Sequence, residues 1–378
     1  MGTLRFLLAL AVVIVHTSHL YGFSLYGLRL TGGVVAVQAF YMISGFYMAL
    51  ILNTKYTGKG SYKLFITNRF LRIYPAYWVV LLLTLAITCF PTFTHIFGFT
   101  PWDYIGTDTP LSLISIIFLN ITNLGLFGQD IVLFLGIRSD GGLYFTTNFT
   151  ESKPALYEFL PVPQAWTLSL ELMFYVLAPF LARRKTYVLL SLIAASLVIR
   201  FYIYFVADLY QDPWTYRFFP AELAFFVAGM VCYRSYLWVN EKRISGYVAT
   251  IATVVVICAT IGYEFLPGYA VRQWAYYGLL FSLMPFLFMF SNSHRSTDAW
   301  IGELSYPMYI SHVFVLLALS PLLKGISSSL VTLIVCAATV LFSLELMRYV
   351  STPIEKHRQN RIRAQGQNTV VAKGTSRA

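Results

Sequence analysis

The stretch LRFLLALAVVIVHTSHLY, residues 4–21, decides the fold. It holds one arginine, Arg5, and two histidines, His16 and His19; every other side chain is apolar or carries only a hydroxyl. As a helix it is about 27 Å long, close to the thickness of a bilayer's hydrocarbon. Nine more apolar runs follow, near residues 33–53, 72–90, 166–182, 186–206, 218–238, 246–264, 272–290, 300–320 and 328–350. The whole chain of 378 residues is 58% hydrophobic and 11% charged. A soluble domain carries about a quarter charged residues, so there is too little polar surface here for a water-soluble body. The expected fold class is an all-α polytopic membrane protein with about ten transmembrane helices. One membrane domain spans 1–355, and a basic tail spans 356–378, expected to be disordered from Gln359. The first run has no small-residue cleavage site after it, so it reads as an uncleaved helix.

Lysine and arginine set the sides. Lys55, Lys59, Lys63 and Arg69 precede the third run, and Arg183, Arg184 and Lys185 separate the fourth from the fifth. Arg234, Lys242 and Arg243 follow the sixth, Arg295 follows the eighth, and Lys356, Arg358, Arg361 and Arg363 follow the tenth. These connections alternate, so both termini are expected in the cytoplasm. The opposite connections hold Asp103, Asp108, Asp130, Asp140, Glu151 and Glu158 among few basic residues. The segment Leu111–Ile137 is apolar, yet one crossing there would invert everything after it. It reads as a re-entrant or interfacial segment inside the long outer connection 91–165, where protein or a polar cavity must satisfy its backbone. The net charge of +11 reads as this topology signal and not as a nucleic-acid surface. Cys89, Cys232, Cys258 and Cys336 lie in or beside apolar runs with no CxxC pairing, so free thiols and no metal site are expected.

Ionisable residues inside spans are costly and therefore candidates for function. Arg5 and His16 are eleven residues apart, almost three turns, so they share a helix face with about 16 Å between them. Arg5 reads equally as a charge reaching the interface, and His16 as a hydrogen-bonded packing residue. Glu171, at the outer end of the fourth run, shares its depth with His16, and a carboxylate there can orient an imidazole. Arg69 and Arg72 are neighbours at i, i+3 and make a phosphate clamp, although topology explains them as well. Arg200 with Glu222, and Glu345 with Arg348, read as structural ion pairs. His312 lies midway along the ninth run.

Taken in order, these residues resemble the motifs of the acyltransferase 3 family of membrane acyltransferases. Arg5 to His16 resembles its basic-residue-x10-His motif. Residues 33–46, ending Ser44-Gly45-Phe46, are similar to its second-helix pattern, and Arg69-Phe-Leu-Arg72-Ile-Tyr74-Pro75 to its RxxR-x-x-P segment. Trp166-Thr-Leu-Ser169-Leu-Glu171 resembles WSLSxE, and Ser305-Tyr306-Pro-Met-Tyr309-Ile-Ser-His312 resembles SYxxYLxH. Val37-Gln38 departs where an acidic residue is common, and Thr167 and Met173 replace more usual polar residues. The resemblance implies His16 and Glu171 as catalytic residues and Arg5, Arg69, Arg72 and Tyr74 as donor-binding ones. Ser44, Trp166, Ser169, Tyr309 and His312 would support them. It implies acetyl-CoA or another acyl-CoA as donor on the cytoplasmic side, with no permanently bound cofactor. The acceptor would be a hydroxyl of a glycan or glycolipid, such as O-antigen or exopolysaccharide, outside a bacterial inner membrane. The alternative is a transporter or glycan flippase, which ten spans and intramembrane charges also fit, but which leaves the motifs unexplained.

Overall fold

Each of the ten apolar runs carries a helix in the computed structural model, which describes residues 1–22, 27–90, 111–242 and 244–375. In chain order the helices are α1 (Gly2–Tyr21), α2 (Gly32–Thr54), α3 (Ser61–Thr88), α4 (Leu113–Gly125), α5 (Trp166–Leu181), α6 (Thr186–Phe201) and α7 (Phe219–Glu241). Then follow α8 (Gly246–Ile261), α9 (Tyr269–Ser293), α10 (Arg295–Glu303), α11 (Ser305–Leu319), α12 (Ser328–Leu346) and α13 (Thr352–Thr375). Eight of the described spans are long and apolar enough to cross a membrane. The remaining two expected runs are α8, with 16 residues, and α7, which carries Glu222 and Arg234 and is buried among other helices.

Packing is closest where side chains are smallest. A Cβ on Gly45 of α2 would lie 1.8 Å from the Phe226 carbonyl oxygen, and one on Gly229 of α7 would lie 1.9 Å from that of Met42. The two glycines let these backbones touch, the usual device for helix pairs in lipid. Around this seam a buried polar network forms. The Gln38 amide donates to both oxygens of Glu222, at 3.0 and 3.1 Å, Arg200 donates to the same carboxylate, and Tyr277 donates to the Gln38 carbonyl. The Arg200–Glu222 ion pair is thus as expected, and Gln38 serves it where an acidic residue would repel. Glu345 and Arg348 form no such pair among the described residues; Arg348 instead lies over the Tyr349 ring at 5.4 Å.

The segment 111–137 does not cross as one helix. Its helical part, α4, ends at Gly125 and is too short to span the hydrocarbon. The last carbonyls of α4 are taken by side chains from the middle of α3: Tyr77 donates to Asn123, Trp78 to Leu124 at 3.0 Å, and Tyr74 to Gly125. The chain then turns back, and the Ser169 hydroxyl accepts from the Gly128 amide at 2.9 Å and donates to Asp130 at 2.5 Å. Leu113, Ile114, Ile121 and Leu124 face outward. A short antiparallel hairpin follows, β1 (Leu135–Ile137) on β2 (Leu143–Phe145), with Gly136 opposite Tyr144. Residues 91–110 of the long connection, with Asp103 and Asp108, lie outside the described residues, as does Arg243.

The tail continues as helix from Gln359 to Thr375. Arg361 donates to the Asn68 side chain at 2.7 Å and to Thr67 at 2.8 Å, which fastens α13 to α3.

The α2–α7 seam yields a test. Gly229→Ala should cost about 1–3 kcal/mol, because backbone and not a yielding side chain stands in the way. Gly278→Ala, where nothing lies within 4 Å, should leave thermal stability of the purified protein unchanged. Equal melting temperatures for the two variants would contradict the seam.

Candidate functional site

The shared face of Arg5 and His16 borders two different places. Arg5 lines a cavity of about 400 Å³. Its wall on α2 runs from Ile51 to Val37, roughly four turns of helix. At the end nearer α13 it is framed by Lys55, Arg69, Arg72 and Arg358, against which stand Glu303 and Glu355. Toward the other end the lining turns aromatic and hydroxylated, with Tyr41, Thr167 and Tyr309.

Arg5, Lys55 and Arg69 form no ion pair among the described residues. Arg69 is only 7% exposed and its Nε has no hydrogen-bond partner. Its guanidinium lies 5.8 Å from the rings of both Phe65 and Tyr175. Among the described residues no carboxylate pairs with Arg69 or Arg5. Arg72 has only Glu355, at 4.0 Å. A buried guanidinium without an anion is costly, and the cavity wall holds Arg69 in that state.

His16 lies beyond the aromatic end. Its ring centroid is 4.8 Å from that of His312 on α11, and His312 is 6.0 Å from Tyr309. His16 Nδ1 sits 2.9 Å from the Val12 carbonyl oxygen, and His312 Nδ1 sits 2.7 Å from that of Tyr309. A carbonyl can only accept, so each Nδ1 carries the hydrogen, and each neutral ring keeps its lone pair on Nε2. His312 is fully buried and its Nε2 has no partner. Two basic nitrogens are therefore held in one place by backbone. Beside them, Arg217 binds Asp212 with two bonds of 2.6 and 2.7 Å and lies 4.3 Å over the Trp166 ring.

Several expected positions move. Glu171 makes no hydrogen bond to His16: it accepts from Ser44 at 2.8 Å and from Tyr175, and it lines the cavity. What orients the imidazoles is helix carbonyls. Tyr74 does not line the cavity; its ring stacks on Phe70 at 4.0 Å and its hydroxyl holds α4. Ser169 holds the return from α4, Trp166 carries Arg217, and Tyr309 shares a 2.8 Å hydrogen bond with Thr167. Arg5, Arg69, Arg72, Ser44 and Tyr309 are together in the cavity wall, and His312 joins His16.

Sequence reasoning missed Asp298. Its carboxylate accepts the Gly2 amide at 2.8 Å, the Thr3 amide at 2.9 Å, the Thr3 hydroxyl at 3.0 Å and the Ser291 hydroxyl at 2.5 Å. It caps the start of α1 from another helix and so fixes the height of Arg5. An acid just before a helix is a local signal, but this one reaches α1 from α10, far along the chain. Tyr306 enters the sequence reading only within a motif; its hydroxyl donates to the Ile73 carbonyl at 2.6 Å and closes the wall between α3 and α11.

The model of a family described as an acyltransferase domain matches residues 2–348. No curated protein and no solved structure matches the chain.

The cap on α1 can be tested by stability. Asp298→Ala should cost about 0.5–2 kcal/mol, the value of a lost N-cap, and Asp298→Asn should cost less because one of the two accepting oxygens remains. Thermal unfolding of the two purified variants reads this order. An Ala variant as stable as wild type would remove Asp298 from the site's frame.

Proposed function

We propose, for a chain that belongs to the acyltransferase family and is a membrane acyltransferase, that the donor is acyl-CoA and the acceptor a hydroxyl of an extracytoplasmic polysaccharide or glycolipid. The observation that carries the donor reading is Arg69, nearly buried in a cavity wall without an anion of its own. Phosphates supply that anion. The cationic end of the cavity faces the cytoplasm, because Lys55 and Lys59 and the basic residues of the tail mark that side. The nucleotide of the donor sits among Arg69, Arg72 and Lys55, and the pantetheine arm runs along α2 toward Tyr309. Acetyl-CoA is the smallest such donor.

The chemistry then falls to the histidine pair. The acceptor arrives from the His19 end of α1, where the chain is exposed. His16 Nε2 takes the proton of the acceptor hydroxyl as its oxygen attacks the thioester carbonyl carbon. The carbon–sulfur bond breaks, CoA leaves as thiolate, and the proton returns to that sulfur. Fixing Nδ1 on a carbonyl keeps Nε2 available for each cycle. Glu171 acts through the wall: its carboxylate sets Ser44 and Tyr175 beside the arm. A bacterial inner membrane with the acceptor outside and both termini inside fits this sidedness, and O-antigen and exopolysaccharide are acceptors of the right chemistry.

His16→Ala should lower acyl transfer at least 100-fold at unchanged membrane abundance, the range of a lost general base. Glu171→Gln should lose less, since it leaves the imidazole and its carbonyl in place, and His19→Ala should stay near wild type. Acceptor acylation is measured in cells lacking the native gene. A well-expressed His16→Ala with near-normal product would sink this mechanism.

The donor site makes a separate demand. Arg69→Gln should weaken acetyl-CoA binding by about 1.5–3 kcal/mol, the value of a charge-assisted hydrogen bond. An unchanged dissociation constant would return the arginine to a topology role.

A further inference from the structure

We infer that the helix after the family-matched region is part of the donor site: α13 supplies Arg358 as a phosphate ligand, and its Glu355 is a built-in anion that the donor displaces. This rests on the acyl-CoA reading above. The matched region ends at residue 348, and α13 begins at Thr352. Yet Glu355, Arg358, Gln359 and Ile362 all line the cavity.

The arrangement of charges makes the case. Arg358 is 3% exposed, and its Nε has no partner. It enters a wall that already holds Arg69 and Arg72, so three guanidinium groups converge on one end of the cavity. Like charges brought together out of water repel, and a fold keeps them so only with anions between. Among the described residues Glu355 pairs with Arg72 and Arg358 and no carboxylate pairs with Arg69; Glu303 lines the same wall but forms no ion pair. Glu355 accepts from Arg358 and from the Gln359 amide, and it lies 4.0 Å from Arg72. One paired charge faces three, and the Arg72 contact is too long for a hydrogen bond. Two phosphates would serve these cations better than one carboxylate does. Arg361, bound to Asn68 and Thr67, holds α13 at the place where Arg358 can act. The nucleotide end of the donor, where its phosphates are, therefore meets a part of the chain that the family region does not include.

The test uses opposite signs. The full chain is purified in neutral detergent, and dissociation constants are measured by calorimetry for acetyl-CoA and for acetyl-pantetheine, which has no phosphate. Arg358→Gln should weaken acetyl-CoA at least tenfold and leave acetyl-pantetheine within twofold. Glu355→Gln should tighten acetyl-CoA, because it removes the competing anion. Arg363→Gln, an exposed charge on the same helix, should change neither. A merely structural α13 would make both Arg358→Gln and Glu355→Gln weaken both ligands, and that result overturns the inference. Wild type that binds acetyl-CoA, with Arg358→Gln unchanged, overturns the inference alone. Wild type that binds neither ligand removes the acyl-CoA reading and this inference with it. Displacement by phosphatidylglycerol and not by free CoA would give the site to a lipid headgroup and overturn the assignment to the donor.

Discussion

A charge inside an apolar span must be paired, be surrounded by protein dipoles, or wait for a ligand. The polar interior of this bundle divides along those lines. Glu222 is paired: Arg200 and Gln38 satisfy it, and Tyr277 fastens Gln38 in turn. Asp298 is paired with the Met1 ammonium at 2.9 Å and surrounded by donors from the start of α1 and from Ser291. Arg69 and Arg5 have no carboxylate among the described residues, and both line the same cavity. The first two sites pin α1, α2, α6, α7, α9 and α10 into one frame. The third depends on them, because an unpaired guanidinium stays buried only in a wall that cannot collapse around it.

The spans were legible because apolar length is a local property. So was the common face of Arg5 and His16, since eleven residues return a helix almost to its starting angle. Contacts between helices were not legible. His16 and Glu171 share a depth, but a bundle presents a ring of neighbours at each level. Depth alone cannot tell that α1 turns His16 toward His312 of α11, while Glu171 turns to Ser44 and Tyr175. Tyr74 sits in a motif with Arg69 and Arg72, yet at i+2 from Arg72 it faces another side of α3 and meets α4 instead. The glycines of the α2–α7 seam were visible as residues, and what they admit was not.

The same reasoning applies to the tail. Composition weighs each residue's preference for water, and from Gln359 on it counts mostly polar and basic side chains. It does not see that Arg361 has Asn68 and Thr67 waiting on α3, or that Arg358 has an end of a cavity to complete. The helical tail, the cationic end and the aromatic passage toward the histidine pair then form one route. It has three guanidinium groups at one end and two imidazole rings near the other.

The most direct test of that route is a structure of the full chain determined with acetyl-CoA. The account predicts phosphates against Arg69, Arg72 and Arg358, and the pantetheine arm along α2 with its thioester beside Tyr309, on the way to His16 and His312. Nucleotide bound elsewhere, with this cavity empty and the arginines as they stand now, would contradict it.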